Sequence, residues 1–262
     1  MADSPDTASL QQRLSWGALR LRRKAAGWAS TRPGLILPVL RLFDTPPEAT
    51  AGAPAFRAGT ELVIEGFPRC ANTFAVIAFQ LAQPRPAALA HHVHMPAQVI
   101  AAARRGTPAL VLIREPLAAC RSYLVRCPYF KPADALNDYV RFYEAVLDYR
   151  QDFVTATFEQ VTGDFGRVID RINARFGTSF RRFKHTDANS AAVFDHLESI
   201  NRGRRASKKV NEQGIARPSG SRGDDAAEAQ AALTRPEHRS RVRRAEELYE
   251  TYRRLAQTGH HD

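Results

Sequence analysis

Residues 61–81, Glu61-Leu-Val-Ile-Glu65-Gly-Phe-Pro-Arg-Cys70-Ala-Asn-Thr-Phe-Ala75-Val-Ile-Ala-Phe-Gln80-Leu81, decide the fold class. Glu61 to Glu65 encloses an apolar run and reads as a buried strand. Gly66 to Thr73 holds glycine and proline and reads as a turn, and Phe74 to Leu81 continues as a helix. A turn that feeds a helix N-terminus presents free backbone N–H groups to an anion, and the helix dipole adds to the attraction. Arg69 supplies a fixed positive charge inside this turn and Thr73 a hydroxyl donor. The Gly-Lys pair of an ordinary ATP-binding loop is missing.

The same alternation extends downstream. Ala109 to Ile113 is a near-continuous apolar run, as a central parallel strand requires. Arg114 follows it directly and so emerges at the carboxyl edge of the sheet. Pro116 suits the first turn of a helix that runs to Arg126, and Ser122 lies about two helical turns beyond Arg114. An arginine and a hydroxyl converging there suit a phosphate, because a guanidinium gives paired, charge-assisted hydrogen bonds. Helices are expected over Ala97–Arg105, Ala133–Arg150, Phe165–Phe176 and Glu237–Leu255, with a further strand over Phe153–Phe158. Strands alternating with helices imply an α/β domain with a central parallel sheet flanked by helices.

Upstream, residues 8–28 read as a basic amphipathic helix. Leu10, Leu14, Ala18, Leu21, Ala25 and Trp28 recur at helical spacing among Arg13, Arg20, Arg22, Arg23 and Lys24. Such a helix either packs on the domain or lies on an anionic membrane surface. Residues 44–59, rich in proline and glycine, read as a linker. The chain therefore divides into a helical extension and linker over 1–50 and the α/β domain over 51–262. Residues 201–223 read as a flexible basic loop.

With 262 residues, 44% of them hydrophobic, the chain can bury a real core. Its formal charge of +11 favours anionic ligands in general. Cys70, Cys120 and Cys127 are too few for a disulfide framework and point to a reducing, cytoplasmic compartment. Asp3 and Asp6 and the lack of a short apolar core argue against a secretory signal. The longest apolar stretch, Leu35 to Phe43, is too short to span a bilayer.

Taken together, the two anion-suited segments resemble the sulfotransferase family, with its P-loop-like fold. Pro68-Arg-Cys-Ala-Asn-Thr-Phe74 is similar to that family's 5′-phosphosulfate loop, and Arg114 to Ser122 to its 3′-phosphate motif. Thr157-Phe-Glu159 resembles the Tyr-Glu-Asp element after a later strand. The resemblance covers residues 60–180 well and the rest loosely. It implies a sulfuryl transfer from 3′-phosphoadenosine 5′-phosphosulfate to a hydroxyl or amine, leaving adenosine 3′,5′-bisphosphate. By it, Arg69 contacts the transferring group, Asn72 and Thr73 bind the 5′-phosphate region together with the loop at Cys70 and Ala71, and Phe74 packs on adenine. Arg114 and Ser122 hold the 3′-phosphate. Cys70 and Ala71 replace the usual serine and glycine, and alanine is strained if its position requires positive φ. Arg217 and Gly220 stand in a segment resembling the one that closes over the 3′-phosphate.

His91-His-Val-His94-Met-Pro96 completes the picture. The family commonly carries a catalytic histidine just before such a pair, which makes His94 the candidate general base, with His91 and His92 competing. A neutral imidazole is suited to take the acceptor proton. His92 and His94 on one strand face could also chelate a metal, but no cysteine or carboxylate ligand stands beside them, so no metal is expected. The positive charge tilts the reading toward an acidic saccharide as acceptor, with a lipid or a small metabolite as alternatives. A specific nucleic-acid partner is not expected, because aromatic residues do not interleave with the basic runs. Two other functions fit the pattern less well: a nucleotide-dependent phosphotransferase and a non-catalytic polyanion-binding protein.

Overall fold

The computed structural model describes residues 27–46, 48, 50, 52–203 and 223–258. Most of the 8–28 segment, and both Arg217 and Gly220, lie outside the described residues. Helix α1 (Pro33–Arg41) leads into strand β1 (Leu62–Gly66), helix α2 (Asn72–Ala82) and strand β2 (Leu89–His91). Helix α3 (Pro96–Ala103), strand β3 (Ala109–Ile113), helix α4 (Pro116–Arg126) and helix α5 (Pro132–Leu147) follow. Strand β4 (Val154–Thr157), helix α6 (Phe158–Phe176), helix α7 (Asp187–Gly203), helix α8 (Gly223–Leu233) and helix α9 (Arg239–Thr258) complete the described chain.

The sheet has four strands in the order β2-β1-β3-β4, all parallel. Every residue of β1 and β3 is buried, which is why β3 reads as an unbroken apolar run and β1 as one closed only by Glu65, rather than as alternating strands. Gly66 ends β1 where a Cβ would sit 2.3 Å from the Leu112 carbonyl oxygen, so only glycine lets β1 approach β3 so closely at this point. Helices α2, α6 and α7 cover one face; α3, α5 and α9 cover the other, with α1 against α3 and α8 against α4. Tyr139, Tyr143 and Tyr252 fill the second layer, and each spends its hydroxyl on a backbone carbonyl: Arg114, Leu112 and Tyr143 respectively. Burying a phenol without such a partner would cost about 1–3 kcal/mol.

The expected strand at 109–113 and the helix ending at Arg126 fall where the sequence put them. Strand β2, only three residues long and behind Pro84 and Pro86, escaped the periodicity reading. Helix α6 starts earlier than expected: a first turn runs from Phe158, the backbone leaves helical geometry at Asp164, and the expected 165–176 stretch follows. Gly177, at φ 64°, ends it in the left-handed conformation that glycine accommodates. Helix α7 takes in residues 201–203 and α8 begins at Gly223; the rest of the basic loop expected over 201–223 lies outside the described residues. The proline-rich segment before β1 is docked rather than loose. Ala55 and Phe56 are buried, and the Arg41 guanidinium donates to the Phe56 carbonyl at 2.8 Å. No helix among the described residues is long and apolar enough to cross a membrane.

Candidate active site

β1 lies between β2, the next strand in sequence, and β3, so the chain reverses direction across the sheet between β1 and β3. Ligands of open α/β sheets bind outside the carboxyl ends of the strands at such a point. A cleft of about 1120 Å³ opens there. Arg69, Ala71, Asn72 and Thr73 line it from the loop after β1, His92 and His94 from the turn after β2, and Arg114 and Phe158 from the ends of β3 and β4. Helix α4 adds Arg121, Ser122 and Arg126, and α5 adds Arg141. The wall is strongly basic. Its acids are held by local partners: Asp44 pairs with Arg57 and Asp138 with Arg141.

Segments distant in sequence meet inside this cleft. The Arg69 Nε donates to Ser122 Oγ at 2.9 Å across 53 residues of sequence. Arg114 lies over the Phe158 ring and donates to the Arg69 carbonyl oxygen at 3.2 Å. Glu115 does not pair with Arg114; its carboxylate caps α4 by accepting from the Leu117 and Ala118 N–H groups. Arg69, Arg114, Ser122 and Thr73 therefore surround one space.

Three neighbouring residues are engaged outside the cleft by their side chains. Cys70 is buried against Tyr143, 3.6 Å from its hydroxyl, and burial pushes its thiol up to about 12. The thiol is thus un-ionised at neutral pH, and Cys70 does not line the cleft. Asn72 ties the loop to itself by donating to the Phe67 carbonyl at 3.0 Å, while its buried Oδ1 has no hydrogen-bond partner. Phe74 packs with Phe183, His185 and Phe194 and does not line the cleft.

The four non-glycine residues with positive φ among the described residues are Arg69 (73°), Ala71 (69°), His92 (60°) and His94 (55°). All four line this cleft. Left-handed backbone costs about 1–2 kcal/mol for an L-residue, and such strain gathers where surrounding structure enforces a functional geometry. Ala71 is the position where the sequence left open whether positive φ is required; it is.

The histidines do not share one strand face, as their spacing had implied. β2 stops at His91, and the chain then turns through left-handed geometry at His92 and His94. The cause is a buried acid. Glu65, fully inaccessible near the end of β1, accepts from the Val93 N–H at 2.9 Å and the His94 N–H at 3.1 Å, drawing both amides inward. It also accepts from the Gln98 side-chain amide at 2.8 Å. Burial raises its carboxyl to about 7 in spite of those donors. His92 has one ring nitrogen against His91 Nδ1 at 2.7 Å and the other against Thr73 Oγ1 at 3.0 Å. His94 Nδ1 lies 2.8 Å from the Gly66 carbonyl oxygen, an acceptor, so Nδ1 carries a proton. Sequence reasoning missed Glu65, Arg121, Arg126 and Arg141. An acid closing an otherwise apolar central strand was a usable signal, because it is costly there unless hydrogen-bonded.

Among solved structures, the chain is similar to the mouse sulfotransferase SULT7A1 complexed with PAP. The two share 13% identity over 78% of this chain and 88% of that one, at a TM-score of 0.39. A likeness of that size bears on neither the site nor the reaction. No family model matches the sequence, and no curated protein does.

Proposed function

We propose that the chain is a sulfotransferase that uses 3′-phosphoadenosine 5′-phosphosulfate as donor. The observation that carries this reading is the meeting of Arg69 and Ser122, 2.9 Å apart, with Arg114 beside them at the carboxyl edge of the sheet. Two phosphate-suited elements then serve one nucleotide. Arg114 and Ser122 would hold the 3′-phosphate. The N–H groups at the start of α2, with Thr73 and Arg69, would hold the 5′-phosphosulfate.

In this reading the acceptor oxygen attacks sulfur as the bond from sulfur to the 5′-phosphate oxygen breaks, and the electron pair leaves on the bisphosphate. The acceptor proton passes to His94 Nε2. Arg69 faces the charge that grows on the transferring group and leaving oxygen. His94 is favoured over its neighbours as base because it directly precedes the Met95-Pro96 pair. No step requires a metal.

Arg121, Arg126 and Arg141 along the wall support an acidic acceptor, a saccharide or a lipid headgroup. The free Cys70, Cys120 and Cys127 support a reducing, cytoplasmic setting. Peripheral contact with an anionic membrane is part of the proposal. Trp28, Leu35, Val39, Leu42 and Phe43 are exposed large apolar side chains around α1, and in the sequence they follow or end the arginine-rich segment 8–28.

Calorimetry with adenosine 3′,5′-bisphosphate, AMP and ATP–magnesium tests the donor assignment. The bisphosphate should bind tightest. Equal affinity for AMP, or a preference for ATP with magnesium, sinks it.

A further inference from the structure

Glu65 has no part in the reaction as written, yet its chemistry is out of place. A carboxylate in a central parallel strand is among the most expensive groups a core can hold. This one is retained with an ordered set of donors. Oε1 accepts from Val93 N and Gln98 Nε2; Oε2 accepts from His94 N, with Gly66 N more distant at 3.4 Å. Two of those donors belong to the left-handed turn that carries His94. The same Oε2 lies 3.7 Å from His94 Nδ1.

The geometry points to Glu65 as the positioning residue for His94: its buried carboxylate fixes the turn that sets the imidazole at the cleft and balances the positive charge His94 takes up with the acceptor proton. This rests on the reading of His94 as the base. When the acceptor oxygen bonds to sulfur, its proton moves to His94 Nε2 and the ring becomes an imidazolium held on two sides. The Nδ1–H faces the Gly66 carbonyl at 2.8 Å, and the carboxylate stands behind it. Because Glu65 is fully buried, its ionised carboxylate acts on the ring at this distance more strongly than it would in solvent.

The surroundings make the pairing specific. On β3, the other neighbour of β1, Ala109–Ile113 is wholly apolar. From α3 the carboxylate meets the neutral amide of Gln98, which is itself held by the Phe56 N–H. On β2, His91 is directed to His92. The ring of His94 stands beside Oε2, 3.7 Å away at Nδ1. Burial raises the Glu65 carboxyl to about 7, so the charge it sets behind the ring is present above that pH and is lost as pH falls through it.

The test needs neither donor nor acceptor, so its failure is distinct from failure of the sulfotransferase reading. The full-length protein is labelled with ¹³C at glutamate carboxyls, and the Glu65 resonance is followed against pH in wild type and in His94→Asn. Asparagine tolerates the left-handed backbone at this position. Removing the cation that favours the carboxylate should raise the Glu65 midpoint by about one pH unit. A midpoint unchanged or lowered in His94→Asn overturns the proposal, since a carboxylate that merely braces the turn would not sense the loss of the ring. In a second readout, nitrogen shifts of His94 in wild type and Glu65→Gln report the tautomer. The Nδ1–H form should dominate in wild type and lose its dominance in Glu65→Gln, while bisphosphate affinity stays within about twofold. If Glu65→Gln does not fold, the first comparison still decides.

Discussion

Arg114 stacks on Phe158, its guanidinium carbon 4.1 Å from the ring centroid, and so ties the end of β3 to the end of β4. The stack holds the guanidinium where it also reaches the Arg69 carbonyl, leaving little freedom to be lost when an anion arrives. Phe158→Ala should weaken adenosine 3′,5′-bisphosphate by about 0.5–2 kcal/mol, the range of a cation–π contact. Arg114→Ala should cost more, about 1.5–3 kcal/mol, through lost charged hydrogen bonds. Calorimetry on both variants checks the order. A Phe158→Ala protein that binds as tightly as wild type would show that the ring does not prepare the arginine.

Ala71 holds φ 69° at the threshold of α2 without a side-chain cap. Glycine adopts that conformation freely, although it loses more entropy on folding. Ala71→Gly should therefore raise stability by up to about 1 kcal/mol, the left-handed cost less the entropic one. Thermal unfolding measures it. A lower midpoint in the glycine variant would mean that the alanine methyl contributes more by packing than its backbone costs.

Glu65 gives stability a pH dependence of unusual sign for a carboxylate. Its carboxyl is raised from 4.5 to about 7 by burial. Between those two values the folded chain holds a proton that the unfolded chain has released. Its contribution is therefore greatest below the unfolded value and falls as pH rises to about 7, then stays level. The scale is on the order of 3 kcal/mol. Urea midpoints across this range should fall with rising pH in wild type and fall less in Glu65→Gln. Parallel curves for the two proteins would exclude Glu65 as the source.

Trp28 and Leu42 stand among the exposed apolar residues around α1, and Arg32 lies over the Trp28 ring at 3.9 Å. If this surface docks on anionic bilayers, a Trp28→Ser, Leu42→Ser double variant should lose most co-sedimentation with phosphatidylserine vesicles while keeping its affinity for the bisphosphate. Phosphatidylcholine vesicles alone should bind little, because the attraction needs surface charge. Equal sedimentation of the variant and wild type removes the membrane role of these side chains.

Local features were legible in the sequence, and contacts between segments were not. The β1 turn and α2 lie within one stretch, and Ala109–Ile113 announced itself by composition alone, so both could be placed by pattern. Arg114 and Ser122 were readable because a strand end and a helix fix their relative position. The left-handed turn at His92 and His94 had no local signature. It is imposed by Glu65, whose bond to Val93 spans 28 residues of sequence. For the same reason Phe74 looked like a cleft residue, whereas Phe183 and Phe194, far along the chain, take it into the core.

The docked segment before β1 also acts as a guard. The backbone N–H of His91, on the strand that ends the sheet, donates to the Pro54 carbonyl at 3.2 Å. A bare sheet margin invites a strand from another molecule. Here the margin is only three residues long, and a proline carbonyl already occupies part of it, with no N–H at that residue to offer in return. Residues that look like spacer in the sequence thus cover part of the sheet margin, and shortening them would uncover the His91 N–H to a strand from another molecule.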